Sequence, residues 1–216
     1  MNALLHYNVL KGWRDRSLVA FMVIPALVPV AGLVGASFTP GVQLHYPLAM
    51  APHFSAAQNA ALIGELASIM CALFSVLPSF WTLRTEIASR SVSSFTMASR
   101  PFTVVIMLVI YGASIGYSAW LVSMTFIGIL TTALPPHLAF LAFKVGIAAL
   151  AASAVGALAV TISPEPAVMI GAFCSAFVIV PLFARTVTPA HLIAAFGAAL
   201  IAIAIAAVLL ERRCAR

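Results

Sequence analysis

The stretch Leu138–Ile162, LAFLAFKVGIAALAASAVGALAVTI, carries one charge, Lys144, in an otherwise apolar run. A hydrocarbon core about 30 Å thick is crossed by roughly 20 helical residues, so this segment is long enough to span a bilayer. It is also rich in alanine, with Gly146, Ser153 and Gly156 spaced along it, a composition that lets neighbouring helices approach closely. Strands of an open sheet would leave backbone groups unpaired in lipid, whereas a helix pairs its own. The stretch therefore reads as a membrane-spanning helix.

Working outward, five more runs have the same character. The spans are placed at about 18–38, 60–80, 102–123, 138–162, 167–184 and 190–210. Hydrophobic residues make up 63% of the 216-residue chain and charged residues only 7%, against about a quarter in a soluble domain. This excludes a soluble enzyme or a secreted disulfide scaffold, and the three scattered cysteines form no CxxC pair. The net charge of +6 is a topology signal, because the basic clusters of a nucleic-acid surface are missing. The chain reads as all-α, one polytopic domain over 1–216.

Positive residues orient it. Lys11, Arg14 and Arg16 precede the first span, Arg84, Arg90 and Arg100 lie between the second and third, and Arg212, Arg213 and Arg216 follow the sixth. Only Arg185 falls in a loop on the other side, so both termini are expected in the cytoplasm. Residues 1–17 read as an interfacial helix, with Leu4, Leu5, Val9, Leu10 and Trp13 on one face and basic residues toward the head groups. The first run is too long for a cleavable signal core, and the N-terminus is expected to be retained.

The connector Trp81–Pro101, WTLRTEIASRSVSSFTMASRP, holds Arg84, Glu86, Arg90 and Arg100 and a cluster of serines, while the other loops are nearly uncharged. It reads either as a plain positive-inside anchor or as a polar surface offered to a cytoplasmic partner. Glu65 and Lys144 are the ionisable residues within or near spans. Burying an isolated charge there costs at least about 2.5 kcal/mol, so the two are expected to pair or to face an aqueous exit cavity; Lys144 alone could snorkel to the interface. Pro25 and Pro29 remove backbone donors from the first span and are expected to kink it. Gly112 and Gly116 form a GxxxG, and Ala194, Ala195, Ala198 and Ala202 line the last span. Small residues at this spacing serve contacts either between helices of one subunit or between two copies.

His45, His53, His137 and His191 all map to the outer side, but without HxH or HxxxH spacing, and a metal or haem site there is the minor expectation. Ser163-Pro164-Glu165-Pro166 reads as a helix start with Ser163 as the cap. Ser114 with His191 superficially matches an intramembrane serine protease, but Ile115 stands where a glycine is needed. An ion-coupled carrier would want charges at the midplane and an internal repeat; Glu65 is the candidate and no repeat is visible.

Gly12-Trp13-Arg14-Asp15-Arg16-Ser17 running into Ile24-Pro25, Arg84-x-Glu86, and Ala98-Ser99-Arg100-Pro101 together resemble the membrane subunits of ABC-2 type exporters (ATP-binding-cassette permeases). Size and the short loop before the last span are also similar to the haem-exporter-like permease of cytochrome c maturation. The Gly-Thr-Leu-Glu run usual in the family is replaced by Ser91-Val92-Ser93-Ser94-Phe95. What the resemblance implies is an exporter permease in a bacterial inner membrane, working as a homodimer. Arg84, Glu86, Arg90 and Arg100 would couple it to a separate ATP-binding subunit, with Glu65 and Lys144 in the substrate pathway. MgATP would sit on that partner, since neither Lys11 nor Lys144 lies in a Gly-Lys-Ser/Thr phosphate loop. The apolar lining favours an amphipathic or lipid-like substrate. No catalytic residue and no cofactor are expected in this chain.

Overall fold

A computed structural model describes residues 19–27, 31, 56–88, 101–183 and 188–214. These residues are helical or lie in short connections, with no strand among them. Helix α1 covers 19–27, α2 Ala56–Phe74, α3 Val76–Ala88, α4 Pro101–Thr131, α5 Leu138–Ile162 and α6 Pro166–Ala176. A 3-10 helix, η1 (Phe177–Phe183), continues α6, and α7 runs over Pro189–Cys214. The interfacial helix expected over 1–17, most of the first outer loop, Arg90, Arg100, His45 and His53 lie outside the described residues.

Among the described residues four helices are long and apolar enough to cross a membrane: Ile63–Ile87, Pro101–Ile129, Leu138–Ile162 and Pro189–Arg213. The α5 bounds coincide with the run read from sequence. The third helix overruns its expected end at 123 by continuing to Thr131, because nothing between Ser123 and Thr131 breaks it.

The second span differs more. It was expected to end at Phe80, but helix persists to Ala88, so Arg84 and Glu86 stand on a helix and not in a loop. The interruption falls earlier, at Ser75. Pro78 has no N–H for the Phe74 carbonyl, and its ring disfavours straight helix across the preceding turn. The Ser75 N–H turns to the Ala72 carbonyl (3.2 Å), and the Ser75 hydroxyl donates to the Cys71 carbonyl that was thereby released (3.2 Å). The fifth segment breaks for the same reason. Pro181 cannot donate to the Phe177 carbonyl, and α6 tightens into η1 at Phe177.

Helix α5 lies at the centre, touching α2, α3, α4, α6 and α7. From Ala148 to Thr161 it is buried almost all round, as its uniform small apolar composition requires. Gly112 and Gly116 of α4 face it and the α2–α3 break. A Cβ at Gly116 would collide with the Ser75 hydroxyl and stand 2.7 Å from the Cys71 carbonyl; one at Gly112 would collide with Ser153. At Gly156 it would lie 2.5 Å from the Val76 carbonyl oxygen. The GxxxG is therefore spent inside one subunit.

Hydroxyls stitch this seam. Ser79 donates to the Ser153 carbonyl (2.9 Å) and Ser153 to the Val109 carbonyl (2.9 Å), while the Trp120 indole N–H donates to Ser68 (2.8 Å). Helix α1 joins through carbonyls of its own. Position 29 is proline, so the Pro25 carbonyl has no i+4 donor; the Cys71 thiol donates to it (3.6 Å), and the Ser123 hydroxyl donates to the Ala26 carbonyl (3.1 Å).

Candidate functional site: a cross-tied charged end and an apolar cleft

The helices alternate in direction, which gathers α3's C-terminus, the α5–α6 turn and α7's C-terminus at one end. This is where the charged residues collect. A helix C-terminus leaves carbonyls without donors and carries the negative end of the dipole, and here Pro164 and Pro166 follow immediately and supply no N–H. The Ser163 N–H returns to Ala159 (3.0 Å). Two arginines add donors here. Arg84 Nε on α3 donates to the Pro164 carbonyl (2.8 Å), and Arg213 Nη2 on α7 donates to the Ile162 carbonyl (2.8 Å). The Arg84 guanidinium also lies 5.4 Å from the Trp81 ring centroid, one turn back. Two helices, α3 and α7, are thus tied to the end of α5 and the turn that follows it.

Glu86 is 4% exposed on α3 and is engaged by a partner, as a buried carboxylate must be. Glu165 stands exposed at the tip of the turn. It, and not Ser163, occupies the N-cap of α6, and its side chain makes no cap bond; the Ser163 hydroxyl instead accepts the Glu165 N–H (3.4 Å).

At the opposite end, Lys144 does not pair with Glu65. Its ammonium sits 4.9 Å from the Phe140 ring centroid, and Glu65 is exposed. A cation over an aromatic face, with its stem along apolar surface, is how a lone lysine lowers its cost near a membrane boundary. His191 bonds to the Thr188 hydroxyl through Nδ1 (2.8 Å), and His137 precedes α5 in the left-handed region (φ 56°). Among the described residues no group of three or more His, Cys, Asp or Glu could hold a metal. The Ser114 hydroxyl donates to Tyr111 within its own helix (2.8 Å).

A feature the sequence reading missed lies between α4, α5 and α7: a cleft of about 920 Å³. Ala139, Ala142, Phe143 and Gly146 of α5 line it with Tyr117 of α4 and Ile193 and Phe196 of α7. Neither Glu65 nor Lys144 lines it. The signal was present in the small residues at positions 139, 142 and 146, which share a helix face; in an all-apolar run they look like any packing contact.

Comparison of the chain with protein-family profiles, with curated proteins and with solved structures finds no match.

Proposed function

We propose that this protein is the membrane-spanning permease subunit of an ATP-driven exporter. In this reading it has six spans, with α1 in the first and α6–η1 in the fifth, and both termini and the charged end face the cytosol of a bacterial inner membrane. ATP is bound and hydrolysed by a separate subunit, and a second copy of the chain completes the pathway.

The observation that carries the reading is the cross-tied charged end. A push on the connector after α3 reaches the α5–α6 turn through Arg84, and that turn is held to α7 through Arg213. Closure of an ATP-binding partner against the connector then shifts α3, α5, α6 and α7 together instead of bending one loop. Arg84 and Glu86 anchor the connector where it leaves α3, and Arg90 and Arg100 complete its polar surface. The break at Ser75 and the one at Phe177 supply points where the spans can flex. An apolar interior favours an amphipathic or lipid-like cargo.

The test is purification from the native host under mild detergent. An ATPase is expected to copurify, with its yield lost in the double variant Glu86→Gln, Arg90→Gln while the permease itself stays monodisperse. A solitary protein that supports proton-dependent flux would overturn this reading in favour of an ion-coupled carrier.

A further inference from the structure

Pro78 denies an i+4 donor to the Phe74 carbonyl where α2 gives way to α3, and Pro181 denies one to the Phe177 carbonyl where α6 gives way to η1. The two phenylalanines that lose these donors are also the two ends of one aromatic ladder. The Phe74 ring meets Phe173 edge-on (centroids 5.6 Å apart, interplanar angle 82°), and Phe173 meets Phe177 in the same way (5.8 Å, 81°). Phe173 lies on α6, one turn before its own break, and reaches across to the end of α2. At both ends of the ladder the backbone tightens alike. The Ser75 N–H turns to the Ala72 carbonyl and the Phe177 N–H to the Cys174 carbonyl, each three residues back.

Toward the charged end the same two segments are joined a second time. Helix α3 packs against α6, and Arg84 of α3 donates to the Pro164 carbonyl in the turn that opens α6 (2.8 Å). The arms match in length. At about 1.5 Å per residue, Ser75 stands roughly 14 Å along the helix from Arg84, and Phe177 roughly 16 Å from Pro166. Both breaks therefore fall at similar heights above the charged end.

We propose that the two breaks are one coupled hinge: α3 and α6, pinned together through Arg84 and Pro164, swing as a single lever, and the Phe74–Phe173–Phe177 ladder makes α2–α3 and α6–η1 bend together. Bending at Ser75 swings α3 and carries α6 with it. Bending α6 against η1 moves Phe173 relative to both of its ring partners. Edge-to-face pairs hold only while centroids stay within roughly 4.5–7 Å, so opening either break strains a ring that the other break also leans on. Phe74 and Phe173 are partly buried and Phe177 is exposed, so the ladder runs from the bundle out to its surface. The lever would exist whatever drives it, with or without an ATP-binding partner.

Hydrogen exchange tests the coupling, because it reads local opening segment by segment. The full-length chain is placed in lipid nanodiscs, and exchange is followed by mass spectrometry in fragments covering 72–80, 174–183 and, as an internal reference, 148–161 of α5. Phe173→Leu removes both ring pairs from a residue that lies at neither break. It is expected to speed exchange at both breaks by roughly two- to tenfold, the equilibrium equivalent of one edge-to-face pair, with α5 unchanged. Phe177→Leu is expected to speed its own break as much and the Ser75 break, on another helix, by about twofold as Phe173 loses one of its supports. Phe102→Leu, at an exposed phenylalanine of α4, is the control and should change neither. Acceleration confined to 174–183 in both variants overturns the coupling, and so does no acceleration at either break. Acceleration that reaches α5, or that Phe102→Leu reproduces, is general loosening and overturns it as well. Where Phe173→Leu fails to give a monodisperse protein, Phe177→Leu decides by the same criteria.

Discussion

Gly112 and Gly116 on α4 sit opposite Gly156 on α5, and every one of the three has its missing side chain's space taken by a neighbour's hydroxyl or carbonyl. Nearly three turns earlier on α5, a Cβ on Gly146 would meet nothing within 4 Å among the described residues. The same residue type therefore does opposite things on one helix. At the seam, absence of a side chain lets three backbones touch and lets serines bridge them. At the cleft, absence of a side chain leaves a space that no described residue fills. The seam is a structural joint, and the cleft is a space that the described residues leave open.

Substitutions should separate the two. The largest effect is expected for Gly116→Leu, which drives a side chain into Ser75 and the Cys71 carbonyl. Overpacking costs 1–3 kcal/mol or more, and with backbone in the way the loss should reach about 3 kcal/mol, seen as a lowered melting temperature and loss of the monodisperse peak in detergent. Next, Trp120→Phe removes the donor to Ser68 together with buried ring volume. A cost of about 2 kcal/mol is expected, whereas Tyr117→Phe, with its ring against the cleft, should cost under about 0.5 kcal/mol in the same thermal assay. If the two aromatic variants behaved alike, the contrast between seam and cleft would fail.

Ser79→Ala should cost about 0.6 kcal/mol, the mean for a hydroxyl bridge between membrane helices. Smallest and opposite in sign, Gly146→Ala should stabilise by about 0.5 kcal/mol through reduced backbone freedom in the unfolded chain. A destabilised Gly146→Ala would mean that the cleft is closed in the folded protein.

How much of this was legible in the sequence depends on the physics involved. Span length and apolarity located α5 to the residue, because bilayer thickness sets how long such a run must be. The proline effects were legible in kind: Pro29 withdraws a donor, and the Pro25 carbonyl does turn to Cys71. The second span was expected to end at Phe80, whereas its helix continues through Arg84 and Glu86 to Ala88. For Arg84 and Arg213, sequence grouped them on one common side but did not reveal their shared target, because a carbonyl at a helix end is invisible as a residue type. Pairing of Glu65 with Lys144 was inferred from cost alone, and Phe140 offered Lys144 a nearer solution. Nothing in an alternation of Ala, Val and Leu tells a filled groove from an open one, which hid the cleft.

The account depends on the charged end being the cytosolic one. In a chain with Cys174→Ala and Cys214→Ala, where the remaining Cys71 is buried, one added cysteine placed as Glu165→Cys at the α5–α6 turn or as Thr188→Cys at the start of α7 can be probed with a membrane-impermeant thiol reagent. Position 188 is expected to label in intact cells, and position 165 only after the membrane is opened. Labelling of position 165 from outside intact cells, with position 188 protected, would contradict the account, because no ATP-binding subunit could then reach the connector.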